Sequence, residues 1–299
     1  MKYYFKNRLI RMLRIITNQA LLLIMLITKV FASSEDIAYG KSLRDYVADH
    51  PFLMRATAQA SLYAYPEERT PELRGLLEAD QWKIEIESDY WIQIRKNKLN
   101  IIAFKGTNSI GELFAQASSD GWTDYTLLGA HDLHISVKKS YSNLFTLTGC
   151  ILAQRQAALY APLFEETFIY TGHSMGGAMA QIAGIESLAS LGRKWSVIAY
   201  GVPPIFSQEG ANVMSSHCLS SCLRLTKLYD IVDADLSLSS ERGMHIGMHY
   251  TIPTSDAELA LRSGTPEEPA ILASIGIGFH SMKKYLETAQ QLSLTDCIQ

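Results

Sequence analysis

Phe168-Ile169-Tyr170-Thr171-Gly172-His173-Ser174-Met175-Gly176-Gly177-Ala178 decides how the rest of the chain is read. An apolar, β-rich run stops at Gly172, and a helix-forming run opens after Ser174. Between them stands Gly-x-Ser-x-Gly. A strand that turns this sharply into a helix forces its middle residue into a strained backbone shape, and a Cβ on either flanking residue would clash across the turn. The sequence therefore predicts that Ser174 sits at the carboxyl end of a sheet with its Oγ exposed. The first helical N–H groups point at the same spot and can bind an oxyanion.

Outward from this segment, strands alternate with helices. Strands are expected at Trp82–Glu87, Tyr90–Arg95, Leu99–Phe104, 167–171, Trp195–Tyr200, Leu223–Leu228 and Met244–Ile252, with a turn around Asn97. Helices are expected at 36–64, Lys138–Leu159, 175–191 and Ser281–Leu292, the second using Leu144, Leu147, Ile151, Leu152 and Leu159 as its apolar positions. Residues 67–80 read as charged and turn-rich, and 108–130 as irregular. Alternation after residue 135 implies an α/β fold with a mainly parallel central sheet flanked by helices.

A length of 299 residues with 47% apolar content suits one large domain with a full core. Net charge is −3, and no basic–aromatic pattern occurs outside the N-terminus, so nucleic-acid binding is not expected. Lys2, Lys6, Arg8, Arg11 and Arg14 precede the apolar run Ala20–Phe31, and Val30-Phe31-Ala32 places small residues before Ser33. This is the layout of a signal peptide over 1–32, cleaved after Ala32, of a secreted or periplasmic protein; an uncleaved membrane anchor is the alternative. Of the four cysteines, Cys218 and Cys222 are close enough to clip a local loop, whereas Cys150 reads as a buried free thiol. His245 and His249 have strand-like spacing, and no Cys/His set has zinc spacing, so no metal is expected.

A serine hydroxyl becomes a nucleophile only when a histidine takes its proton, and that histidine needs a carboxylate to orient it. A carboxylate just past a strand end meets the need. Asp230, first beyond Leu223–Tyr229, is preferred, with Asp233 and Asp235 as rivals. His280, which follows Ile275–Phe279 and opens a helix, is the preferred base over His173, His245 and His249.

These segments resemble the class 3 lipases, the fungal-lipase-like branch of the α/β-hydrolases. The matching stretches are Ile101–Thr107, Thr171–Ala178, Ala199–Pro203, the Asp230 segment and His280–Leu286, and the resemblance covers roughly residues 50–292 of the class 3 lipase-like domain 33–299. It implies that Thr107, after Gly106, supplies one oxyanion donor, with Met175 the second. It also implies a lid over 109–117, where Ile110, Leu113 and Phe114 share one helical face. Lys105 stands where the family carries Arg, Asp230-Ile231-Val232-Asp233 lacks the family's proline, and His134 matches a histidine that is not catalytic. The expectation is a secreted serine carboxylester hydrolase, a lipase acting on acylglycerols at a lipid–water interface without a cofactor. A phospholipase A1 and a non-catalytic binding protein are the alternatives.

Overall fold

The computed structural model of the chain describes residues 52–107, 121–126, 134–154, 167–191, 196–218, 222–227, 243–246, 248–252 and 281–289. The expected signal peptide, the lid segment 109–117, Asp230, Asp233, Asp235 and His280 lie outside these residues, as do the side chains of Cys218 and Cys222. Among the described residues, no helix is long and apolar enough to cross a membrane.

Strands β1 (Lys83–Glu87), β2 (Trp91–Lys96) and β3 (Leu99–Phe104) form an antiparallel meander. Asn97, at φ 55°, takes the left-handed turn position between β2 and β3. From β3 the sheet continues in parallel through β6 (Thr167–His173), β7 (Ser196–Tyr200), β8 (Cys222–Lys227) and β9 (Met248–Ile252). The order across the seven strands is β1-β2-β3-β6-β7-β8-β9. A separate hairpin pairs β4 (Trp122–Thr126) with β5 (His134–Lys138).

The central strands are apolar along their whole length because both faces are covered. Alternation splits their side chains between two cores. Ile102, Phe104, Tyr170, Val197 and Ala199 pack with Ala178, Met179 and Ile182 of helix α4 (Met175–Leu191) and with Phe145 of α3 (Lys139–Leu147). Ile101, Ala103, Ile169, Ile198 and Tyr200 pack on the opposite face. Their partners there are Leu53, Ala56 and Ala60 of α1 (Phe52–Tyr63), with Met282 and Tyr285 of α6 (Met282–Ala289).

The strands expected from sequence are present to within a residue or so, except the last. There the strand is Met248–Ile252, and Met244 instead forms an isolated bridge with Phe206. Residues 67–80 are not merely turns. Helix α2 occupies Pro71–Ala79, with Pro71 in its first turn and the Thr70 side chain accepting a hydrogen bond from Leu73 N–H. Leu73 and Leu77, one turn apart, are its buried residues, and this two-residue apolar stripe was hidden among charges. The stretch expected to be irregular contains β4. The helix expected from Lys138 opens one residue later, because β5 runs through Lys138, and it breaks at Gly149 (φ 73°). Its inward side chains are Tyr141 and Phe145, while Leu147 and Leu152 are 83% and 63% exposed. The break at Gly149 rotates the following helical residues so that Cys150 and Ala153 face the core instead. Helix α5 (Gln208–Cys218), for which the sequence raised no expectation, is capped by Ser207, whose Oγ accepts from Gly210 N–H.

Candidate active site

Ser174 lies between the last residue of β6 and the first of α4, at φ 59°. For a residue with a Cβ this left-handed conformation is uncommon and is held only by its surroundings. They are visible here. The Ser174 N–H donates to the Tyr200 carbonyl at 2.9 Å, which anchors the turn to the end of β7. The Ser174 carbonyl accepts from Gly177 N–H (2.9 Å) and Ala178 N–H (3.3 Å), starting the helix ladder. The neighbouring glycines leave no room for side chains. A Cβ on Gly172 would lie 2.3 Å from the Gly176 carbonyl carbon, and one on Gly176 would lie 2.1 Å from the Phe104 carbonyl oxygen. Strand β6, helix α4 and the exit of β3 therefore touch backbone to backbone at this point.

Parallel register aligns the strand ends that surround the serine. Phe104 pairs opposite Gly172, His173 opposite Tyr200, and Tyr200 opposite Leu225. The carboxyl ends of β3, β6, β7 and β8 thus share one edge of the sheet, the edge at which parallel α/β proteins place their sites. Lys105, Gly106 and Thr107 leave β3 there. A Cβ on Gly106 would lie 2.5 Å from the His173 carbonyl oxygen, so the exit loop is pressed against the residue before the serine. Thr107, half-exposed, follows directly. Met175 opens α4, and its N–H, in the first helical turn, has no carbonyl partner within the helix. The described residues thus bring Ser174, Met175 and Thr107 to one place. Asp230 comes three residues after β8 in the chain, and His280 two residues before α6. Tyr285, in the first turn of α6, has its ring centroid 5.6 Å from His173 and 5.8 Å from Tyr200.

One expectation changes. Ser174 is 1% exposed rather than open to solvent. Its Oγ has no hydrogen-bond partner among the described residues. His173, one of the alternative bases, is buried, and its Nδ1 lies 3.0 Å from the Tyr65 hydroxyl. Its ring serves the packing behind the serine. Sequence reasoning missed Tyr65 altogether. Nothing local marks it, since it is simply the tyrosine between the end of the first helix and Pro66. Burial pushes its hydroxyl well above the ordinary tyrosine range, Glu67 adds to that, and a hydrogen bond from the Gly106 backbone opposes it.

Other chemistry-bearing groups lie away from the elbow. His134 begins β5, His249 is on β9, and His245 precedes that strand. Cys150 is a buried free thiol, pushed up to about 11 by burial despite a 3.2 Å hydrogen bond from Thr148, so it stays protonated at neutral pH. Tyr170 is pushed up to about 12 by burial and is tied to Ser187 at 3.0 Å.

The family model described as Lipase (class 3) matches residues 101–234, the stretch from β3 through the elbow to just past β8. A comparison with curated proteins finds no match. Among solved structures, a triacylglycerol lipase with a serine protease triad as its catalytic centre is similar at TM-score 0.54 and 17% identity, over 78% of this chain and 92% of that one. The lipase from Rhizopus microsporus var. chinensis is similar at 0.53 and 19%, over 79% and 86%. The Rhizomucor miehei lipase propeptide complex is similar at 0.51 and 18%, over 68% of each chain. At such identities the structural likeness speaks for the fold, and the family match speaks for the segment that carries the serine. Residues 101–234 thus match the class 3 lipase family, and with the α/β-hydrolase fold around them they mark a lipase-type serine hydrolase.

Proposed function

We propose that the protein is a secreted lipase that hydrolyses acylglycerol esters with Ser174, His280 and Asp230 as its triad. Ser174 Oγ attacks the ester carbonyl while His280 takes its proton. Asp230 holds the His280 tautomer and stabilises the imidazolium. The backbone N–H groups of Thr107 and Met175 receive the oxyanion. His280 returns the proton to the leaving alcohol, leaving an acyl-enzyme that water then hydrolyses by the same steps in reverse order. The observation that carries this reading is the strained φ of Ser174 inside an elbow whose glycines admit no Cβ. Strain at one residue, fixed on three sides by backbone, fits a nucleophile held in place for attack.

A fluorophosphonate probe reacts with activated serines. It is expected to label Ser174 in the wild-type chain and not in Ser174→Ala, which should lose at least about 10³-fold in kcat while keeping its melting temperature within a few degrees. Labelling elsewhere, or an active Ser174→Ala, rejects the nucleophile. Asp230→Asn is expected to be far more damaging than Asp233→Asn, and the reverse moves the acid to Asp233. A panel of triacylglycerol, phospholipid and short p-nitrophenyl esters then ranks the substrates, with preferential release of sn-1 acyl chains from phospholipid marking a phospholipase A1 instead. Secretion is read from the mature N-terminus, expected at Ser33.

A further inference from the structure

Thr57, Ser61 and Tyr65 recur at every fourth residue, and each hydroxyl meets the sheet. Thr57 pairs with Tyr200 at 2.7 Å, Ser61 with Thr171 at 3.0 Å and Tyr65 with His173 at 3.0 Å. The third contact differs from the other two in what it joins. The β3–β6 ladder ends with Phe104 opposite Gly172, and the next N–H, of Lys105, turns away to the Tyr90 carbonyl on β2's side. Past that point the β3 exit and the elbow must keep their spacing by some other means.

The Tyr65 hydroxyl is placed to provide it. It packs directly against the Gly106 backbone on one side and lies 3.0 Å from His173 Nδ1 on the other. Tyr65 is 7% exposed, and a Cβ on Gly106 would lie 2.1 Å from its oxygen, so the hydroxyl occupies the space that a larger residue at 106 would fill. Gly106 precedes one proposed oxyanion donor, and His173 stands two residues before the other. Resting on the assignment of Ser174, Thr107 and Met175 made above, we infer that Tyr65 is a positioning residue: its hydroxyl ties the Gly106 backbone to the His173 ring and sets the separation of the two N–H groups that hold the oxyanion. Such donors act only within a few tenths of an ångström of the right place, and a misplacement near 1 Å costs about 10²-fold in rate.

The test uses the full chain and a water-soluble ester, p-nitrophenyl butyrate, with rates expressed per fluorophosphonate-titrated active site. Tyr65→Phe keeps the ring and removes the hydroxyl. It is expected to lower kcat by about 10- to 100-fold, to leave KM within about two-fold, and to slow phosphonylation of Ser174 by a similar factor, because the phosphonyl oxygen uses the same donors. A merely structural loss lowers the titrated fraction and the melting temperature but leaves the rate per titrated site unchanged, and that result overturns the proposal. A rise in KM at constant kcat also overturns it, since the hydroxyl would then be a substrate contact. 4-Aminophenylalanine in place of Tyr65, which can still donate and accept, is expected to fall only about two- to five-fold below wild type in both rates. Should Tyr65→Phe not fold, this variant decides alone: a parallel loss of that size supports the proposal, and wild-type rates overturn it. Failure of the wild-type chain to label at Ser174 is a different result, which rejects the nucleophile and Tyr65 with it.

Discussion

The two faces of the central sheet are held by different means. On the α4 face, Phe104, Tyr170, Met179, Ile182 and Phe145 make a hydrocarbon core. Among the described residues its inter-element polar ties are Tyr125 with Ser142, between β4 and α3, and Tyr170 and Gln154 on Ser187, which lies far along α4 from the serine. Thirteen residues of helix separate Ser187 from Ser174, a distance of roughly 20 Å. On the α1 face the helix brings small residues (Ala56, Ala60) against β3 and β6 and adds hydroxyls that bond to the strands. Close approach and directional bonds belong together, since a helix lined with Leu would stand too far off for Ser61 to reach Thr171. Apolar packing fixes how far apart two layers stand but leaves small slides cheap, whereas a hydrogen bond penalises them. The face that must locate the elbow to within tenths of an ångström is the one that carries the bonds.

The elbow is where both faces end, and the largest effect is expected there. Gly176→Ala would set a Cβ 2.1 Å from the Phe104 carbonyl oxygen and 2.9 Å from the Lys105 carbonyl carbon, both backbone atoms that cannot rotate aside. It is expected to lose the folded state, or at least about 10³-fold in kcat. Gly75→Ala is the control. Gly75 lies in α2, and nothing stands within 4 Å of the place its Cβ would take, so the same change is expected to stabilise by about 0.5–1 kcal/mol. Thermal unfolding and specific activity of both variants read the contrast. A well-folded, fully active Gly176→Ala would show that the packed glycines are not what holds the serine.

The α4 face can be probed through pH. Cys150 is raised from about 9 to about 11 by burial. In the unfolded chain the thiol ionises first, so the folded state loses its advantage as pH rises through the window from about 9 to about 11, and the full advantage is present below it. Wild type should therefore lose stability more steeply across that window than Cys150→Ala, by no more than about 3 kcal/mol. Urea unfolding of the two chains at pH 8 and pH 11 measures the difference. Parallel curves would mean that the thiol is reached by water in the folded state.

How much of this was legible in the sequence follows the range of the interactions. The meander, β6, β7 and all of Met175–Leu191 could be read because turn glycines, β-branched runs and a long apolar helix signal themselves within a few residues. The left-handed serine could be read because Gly172 and Gly176 bracket it. Helix α2 was masked by its charges, and β4 has meaning only through β5, its partner eight residues on. The place of Tyr65 depends on a contact across 108 residues of chain, for which no local pattern exists. Glycine at 106 was legible as part of a family motif, but the hydroxyl that needs the space beside it was not.

The smallest effect is the sharpest test of the contrast. Thr171 Oγ1 donates its one hydrogen to the Ile198 carbonyl at 2.6 Å. Its contact with Ser61 must then be a bond that Ser61 donates, and Ser61→Ala removes a donor without stranding the Thr171 proton. The expected cost is about 1 kcal/mol, that of one buried hydrogen bond whose remaining partner stays satisfied. Thr171 sits inside the ladder, opposite Ala103 on one side and Ile198 on the other, so backbone bonds keep the strand in place when Ser61 is lost. Activity per titrated site should therefore stay within about two-fold of wild type. The hydroxyl four residues further along the same stripe, at Tyr65, acts past the end of that ladder and is expected to show the opposite pattern, a large change in rate with a small change in stability. If Ser61→Ala instead slowed turnover as much as Tyr65→Phe, the whole α1 face would be acting as one rigid support, and the distinction between ties inside the ladder and ties beyond it would fall.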